Sequence, residues 1–163
     1  MGNPLDTLFG LPTHVLVVHA VVVLLPIAAL GAIATVLRRS WINRLGAATT
    51  AIGAVALVAT WLSRFSGSNL ASRVGNPEPH VELGHDLPIY ATGFFVLWVL
   101  YWLFARGVPG NRTRPWWLVS LGVVVVLASI GVIWFTILTG HSGSAATWEA
   151  VIENTTPGQF TAD

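Results

Sequence analysis

Five histidines, at positions 14, 19, 80, 85 and 141, carry most of the chemistry that this chain offers. His14 and His19 stand in "THVLVVHA" at the mouth of an apolar run, His80 and His85 share "HVELGHD" with Glu82 and Asp86, and His141 lies in "TGHSGS" between Gly140 and Gly143. Neutral imidazole nitrogens bind haem iron and Zn, Cu or Fe ions, and carboxylates extend such a ligand set. With no cysteine in the chain, nitrogen and oxygen are the donors left for a metal.

Spacing separates the candidates. Residues five apart on a helix diverge by about 140°, against about 40° for residues four apart, so His14 and His19 address different partners instead of gripping one small ion. His19 falls roughly 10 Å into the apolar run and His14 near its start. An imidazole at that depth costs free energy unless it is bonded, which makes His19 the best-buried ligand candidate. His85, at the edge of the third apolar run, is expected to turn inward, and His80, beside Pro79, to lie on a loop surface. The glycines beside His141 either admit the backbone close to a ligand or end a helix.

The elements that must position these groups are membrane helices. Hydrophobic residues make up 54% of 163 positions, with 8 basic residues, all Arg, against 7 acidic ones. Four stretches are long enough to cross a hydrocarbon core, which takes about 20 helical residues. They are Pro12 to Leu37, Leu45 to Leu62, Leu87 to Ala105 and Trp116 to Thr139, within a single domain over residues 1–163. The first lacks the basic flank of a secretory signal and carries Asp6 instead, so it is expected to remain attached. The expected fold is all-α: an integral membrane four-helix bundle, up-down-up-down, with a short outer amphipathic C-terminal helix after "HSGS".

Local signals refine that picture. Pro26 interrupts the first span and points to a kink or opening below His19. Gly, Ala and Thr crowd the second span, so it should pack against two neighbours, with Gly46, Thr50 and Gly53 serving packing. The stretch from Ser63 to Pro79 reads as an irregular loop, Asp86 as a cap, and Pro88 as a first-turn residue of the third helix. Phe94, Phe95, Trp98 and Trp134 are placed either to fill the core or to line a cofactor slot.

Charge sets the orientation. Arg38, Arg39 and Arg44 fall in one turn and Arg106, Arg112 and Arg114 in the other, while the opposite side holds only Arg64 and Arg73. By the positive-inside rule the turns face the cytoplasm and both termini lie outside. Every histidine shares that outer side with every carboxylate, namely Asp6, Glu78, Glu82, Asp86, Glu149, Glu153 and Asp163.

The two histidines of the first span, a histidine ahead of the third, and "TGHSGSAATW" after the fourth resemble the bacterial membrane-protein family of domain of unknown function 2231. The first family motif reads His-Pro-x-x-x-His-Phe-Pro; here Val15, Ala20 and Val21 stand at its Pro, Phe and Pro positions, while Gly140, His141, Ser142, Gly143 and Trp148 match the later motif. The resemblance implies four spans and shared histidines but no reaction. Relatives fused to Rieske-type iron–sulfur domains imply electron transfer nearby, by analogy.

Three functions follow as expectations. The first is a redox protein of the bacterial plasma membrane, with haem b iron held between His19 and either His85 or His141, Arg64 or Arg73 meeting the propionates, and His14 assisting. The second is an outward-facing Zn, Cu or Fe site drawn from His14, His19, His85, His141, Glu82 and Asp86. The third is a cofactor-free assembly subunit. The partners implied are the lipid bilayer, a redox protein and a second copy of the chain, and no nucleic acid. Neither a phosphate loop nor a dinucleotide fingerprint nor a nucleophile–base pair appears, which argues against an enzyme of soluble type.

The charge map predicts that a cysteine introduced at Ser68 reacts with an impermeant thiol reagent in intact cells, while one at Ser40 reacts only after permeabilisation. The reverse pattern would invert the orientation.

Overall fold

The computed structural model describes residues 5–75 and 77–156, so Asp163 lies outside the described residues. A two-stranded hairpin, β1 Thr7–Leu8 and β2 Leu11–Pro12, leads into four helices: α1 Thr13–Leu37, α2 Ile42–Val74, α3 His80–Arg106 and α4 Trp116–Asn154. The hairpin was not expected. Phe9 and Gly10 form its two-residue turn, both at positive φ, as a tight turn of this kind requires. A single 3-10 turn, Arg39–Trp41, joins α1 to α2. All four helices are long and apolar enough to cross a membrane.

Three helices outrun the apolar stretches, and the reason is local. The serines of the expected loop bond back to carbonyls of their own helix: Ser66 Oγ donates to Leu62 O at 2.8 Å, Ser68 to Arg64 O at 3.2 Å and Ser72 to Asn69 O at 2.7 Å. Residues that favour turns in isolation are thus accommodated within α2, which runs to Val74 before Gly75 at φ 96° stops it. Two further expectations fall with the loop. Because α3 begins at His80, Asp86 is inside the helix and not its cap, and Pro88 is an interior residue. The C-terminal segment is likewise no separate helix, since α4 runs unbroken through "TGHSGS" to Asn154. Helix α1 also continues through Pro26.

Each helix packs on two others: α1 and α3 both lie against α2 and α4, which sets α1 across the diagonal from α3. Small residues mark the close approaches, as lipid-embedded packing demands. Gly46 faces Trp102, Gly53 faces Phe95, Gly31 faces Thr49, and Gly122 faces Val36 and Tyr101. The indole of Trp98 is fully buried and donates to Thr50 Oγ1 at 3.1 Å. Gly46, Thr50 and Gly53 therefore serve packing as expected, and Trp98 and Phe94 belong to the core, whereas Trp134 is 61% exposed.

The burial pattern repeats between the halves of the chain. Val21, Leu25, Ala28, Ala32 and Thr35 of α1 are buried, and so are the residues 66 positions later on α3: Leu87, Ala91, Phe94, Trp98 and Tyr101. Ile42, Gly46, Thr49, Gly53, Ala56 and Thr60 of α2 recur 76 positions later on α4 as Leu118, Gly122, Val125, Ser129, Val132 and Thr136. Two successive helix pairs thus present the same faces to the core.

A Cβ at Gly46 would collide with the indole of Trp102. Gly46→Ala is expected to destabilise the detergent-solubilised protein by about 1–3 kcal/mol, as overpacking does. Gly131→Ala, at a glycine with nothing within 4 Å, should leave its melting temperature unchanged.

Candidate functional site

Each inner histidine is built into place by the helix that follows its own. His14, on the first turn of α1, directs Nδ1 at Ser63 O of α2, 2.9 Å away. His80, the first residue of α3, directs Nδ1 at Thr139 O and Ser142 Oγ of α4, both at 3.1 Å. A carbonyl oxygen can only accept, so the nitrogen facing it carries the hydrogen in both rings. The Ser142 hydroxyl already donates to Thr139 O at 2.9 Å, so its lone pairs face the same Nδ1–H. Each neutral ring then keeps an unprotonated Nε2, and among the described residues neither Nε2 has a hydrogen-bond partner.

The two rings meet across the bundle diagonal, with centroids 6.2 Å apart and planes at 74°. Glycine makes this approach feasible on both sides. A Cβ on Gly67 would come within 3.0 Å of the His14 ring, and one on Gly143 within 2.9 Å of His80. The surroundings follow one pattern twice: "SRFSG" at 63–67 and "TGHSG" at 139–143 each supply an accepting carbonyl, a serine donating to that carbonyl three residues later, and a glycine under the ring. The histidines themselves repeat, since "HVLVVH" at 14–19 returns 66 positions later as "HVELGH" at 80–85.

That recurrence explains where the other candidates fall. His19 and His85 are equivalent positions, and both are exposed. His19, expected to be the best buried, directs Nδ1 at Val15 O of its own helix at 2.6 Å. Arg64 reaches His85 twice, with Nη1 donating to its carbonyl at 3.1 Å and Nη2 meeting its Nε2, while the Asp86 carboxylate lies 3.5 Å from its Nδ1. His85 is therefore at the surface and not turned inward. His141 is exposed on α4, and Glu82 is exposed on α3. His80, expected on a loop surface, is instead a half-buried member of the inner pair. Among the described residues no three histidine or carboxylate side chains gather as a metal-binding group.

Sequence reasoning placed His80 on a loop surface, named Ser142 only as part of the family motif, and gave no role to the cradle residues Ser63, Gly67 and Thr139. The signal was present as the repeated His-Val-x-x-x-His and the repeated hydroxyl-x-x-Ser-Gly, but it appears only when the two halves are aligned. The arginines expected near propionates are engaged elsewhere, Arg64 with His85 and Arg73 in an ion pair with Asp6 that ties the N-terminal hairpin to the end of α2.

These features define a membrane-spanning helical protein with two inner imidazoles held at one end. The family model for "Predicted membrane protein (DUF2231)" matches residues 10–156, and the chain belongs to that family. Neither the curated proteins nor the solved structures contain a match.

In histidine-labelled protein, nitrogen NMR should find the hydrogen on Nδ1 of both His14 and His80. Ser142→Ala is expected to leave the His80 tautomer unchanged, because the Thr139 carbonyl remains. A hydrogen on Nε2 of either ring would contradict the cradle geometry.

Proposed function

We propose that this protein is a membrane redox carrier that holds haem b iron between Nε2 of His14 and Nε2 of His80. The observation that carries the reading is the matched pair: two imidazoles on diagonal helices, each with Nδ1–H committed to a backbone carbonyl and Nε2 left without a partner. Ligating histidines typically donate their second nitrogen in this way, which fixes the ring and raises the basicity of the ligand. The rings, with centroids 6.2 Å apart, are near enough for both to belong to one site.

Ligand number favours haem over a bare ion. A structural zinc site takes four protein ligands and a catalytic one three, whereas the described residues gather no set of three. Haem iron brings its own equatorial nitrogens and asks the protein for one or two axial ligands. When bound, haem would supply one-electron transfer. Ser63 O and Thr139 O would orient the two imidazoles that hold it, and Gly67 and Gly143 would keep side chains off them. His19, His85 and His141 have no ligating role in this reading.

The same reading takes the bundle as up-down-up-down within one four-span domain. The order of contacts supports it: His14 meets Gly67 while Gly31 meets Thr49, and His80 meets Gly143 while Tyr101 meets Gly122. The six-to-two arginine asymmetry supports placing the histidine end and both termini outside a bacterial plasma membrane. A carrier there needs a redox partner, which would approach the outer end.

Purified protein is expected to show a reduced-minus-oxidised haem b spectrum, lost in His14→Ala and in His80→Ala and retained in His19→Ala and His141→Ala. Haem that survives His80→Ala, or none in protein reconstituted with haemin, would overturn the assignment.

A further inference from the structure

The opposite end of the bundle carries a second arrangement that the haem reading does not use. Arg38, Arg39, Arg44, Arg106, Arg112 and Arg114 all lie there, and among the described residues none of the six forms an ion pair. The chain has no carboxylate between Asp6 and Glu78 or between Asp86 and Glu149, so the stretches holding these arginines contain no compensating charge. Within this field a cleft of about 400 Å³ opens between the start of α2 and the end of α3, lined by Arg39, Ser40, Asn43 and Arg106 among others.

The donors of the cleft divide into two kinds. Arg39 is committed: its guanidinium donates to the carbonyls of Val108, Pro109 and Arg112 and so braces the α3–α4 turn. Arg106, Ser40 and Asn43 have no side-chain hydrogen-bond partner among the described residues. Arg106 lies over the Trp102 ring at 4.8 Å, a cation–π contact that steadies the guanidinium. A guanidinium, a hydroxyl and an amide, all free to donate around one cleft, match the oxygens of a phosphate group.

We propose that this cleft binds the phosphate headgroup of one anionic phospholipid. Its position favours a lipid over a soluble anion. Leu37, Leu45, Leu103 and Phe104, each within three residues of a lining residue in sequence, are exposed apolar side chains on which acyl chains could lie. Basic pockets between membrane helices recognise anionic headgroups by this combination of fixed donors and adjoining apolar surface. The positive-inside bias alone would explain the arginines but not the convergence of uncommitted neutral donors beside one of them.

The test uses the full-length protein in neutral detergent, titrated with phosphatidylglycerol, with phosphatidylcholine of the same chains, and with inorganic phosphate. Native mass spectrometry counts retained lipid while thermal unfolding is followed in parallel. One phosphatidylglycerol per chain should be retained with a raised melting temperature, and phosphatidylcholine should be lost. Arg106→Gln should weaken retention roughly tenfold, in line with loss of a charge-assisted hydrogen bond. Asn43→Ala should weaken it measurably. Arg44→Gln removes an equal charge outside the cleft and should change retention less than about twofold. Equal losses in Arg44→Gln and Arg106→Gln would reduce the effect to a diffuse field and overturn the proposal. So would equal retention of phosphatidylcholine, or stabilisation by inorganic phosphate that matches the lipid.

Discussion

Close approach of helix backbones is the constraint on which the rest of this structure depends. Lipid tails are as apolar as leucine, so burying leucine between helices gains little over leaving it in the bilayer. Association must come from contact distance and from hydrogen bonds, and both require small residues at the crossings. Gly46, Gly53, Gly122 and Gly31 supply the contacts along the bundle, and Gly67 and Gly143 supply them at its histidine end. At that end the glycines admit imidazoles instead of apolar side chains, which turns a packing device into a site.

The inner histidines also resolve a problem of solvation. A ring nitrogen near the hydrocarbon boundary has little water to bond with, and the backbone carbonyls of a helix are normally spent on its own amides. Ser63 O and Thr139 O nevertheless accept from a neighbouring ring, each close to a serine hydroxyl that shares the same oxygen. A carbonyl has acceptor capacity beyond its helix bond, and the ring N–H and the serine hydroxyl share that remaining capacity. The duplicated arrangement gives the two rings matching surroundings: in each, Nδ1 faces a helix carbonyl that also accepts from a serine hydroxyl.

The two ends of the molecule divide polar labour. Among the described residues, the histidines and carboxylates gather toward one end, and six of the eight arginines, none of them in an ion pair, gather toward the other. Between them Trp98 is bonded to Thr50, and buried Thr60, Ser129 and Thr136 return their hydroxyls to carbonyls of their own helices. The hydroxyls at these positions are therefore committed, whereas that of the buried Tyr101 has no hydrogen-bond partner among the described residues.

The sequence by itself determined the number of spans, their approximate positions, the family and the charge asymmetry. Each of these is a sum over residues that needs no knowledge of a neighbour: apolar length decides spanning, and arginine count decides bias. The repeat of His-Val-x-x-x-His was also legible, though only by comparing the halves. What tertiary structure alone decided is which histidine of each pair faces inward. A span that is apolar all round carries almost no amphipathic signal, so nothing in its own residues fixes its rotation about its axis. Packing against Gly67 and Gly143 sets that rotation, placing His14 and His80 inside and His19 and His85 outside. The structure also decided that the serine- and glycine-rich segments continue as helix: serine hydroxyls can return to carbonyls of their own helix as readily as they can close a turn, so composition alone leaves the choice open.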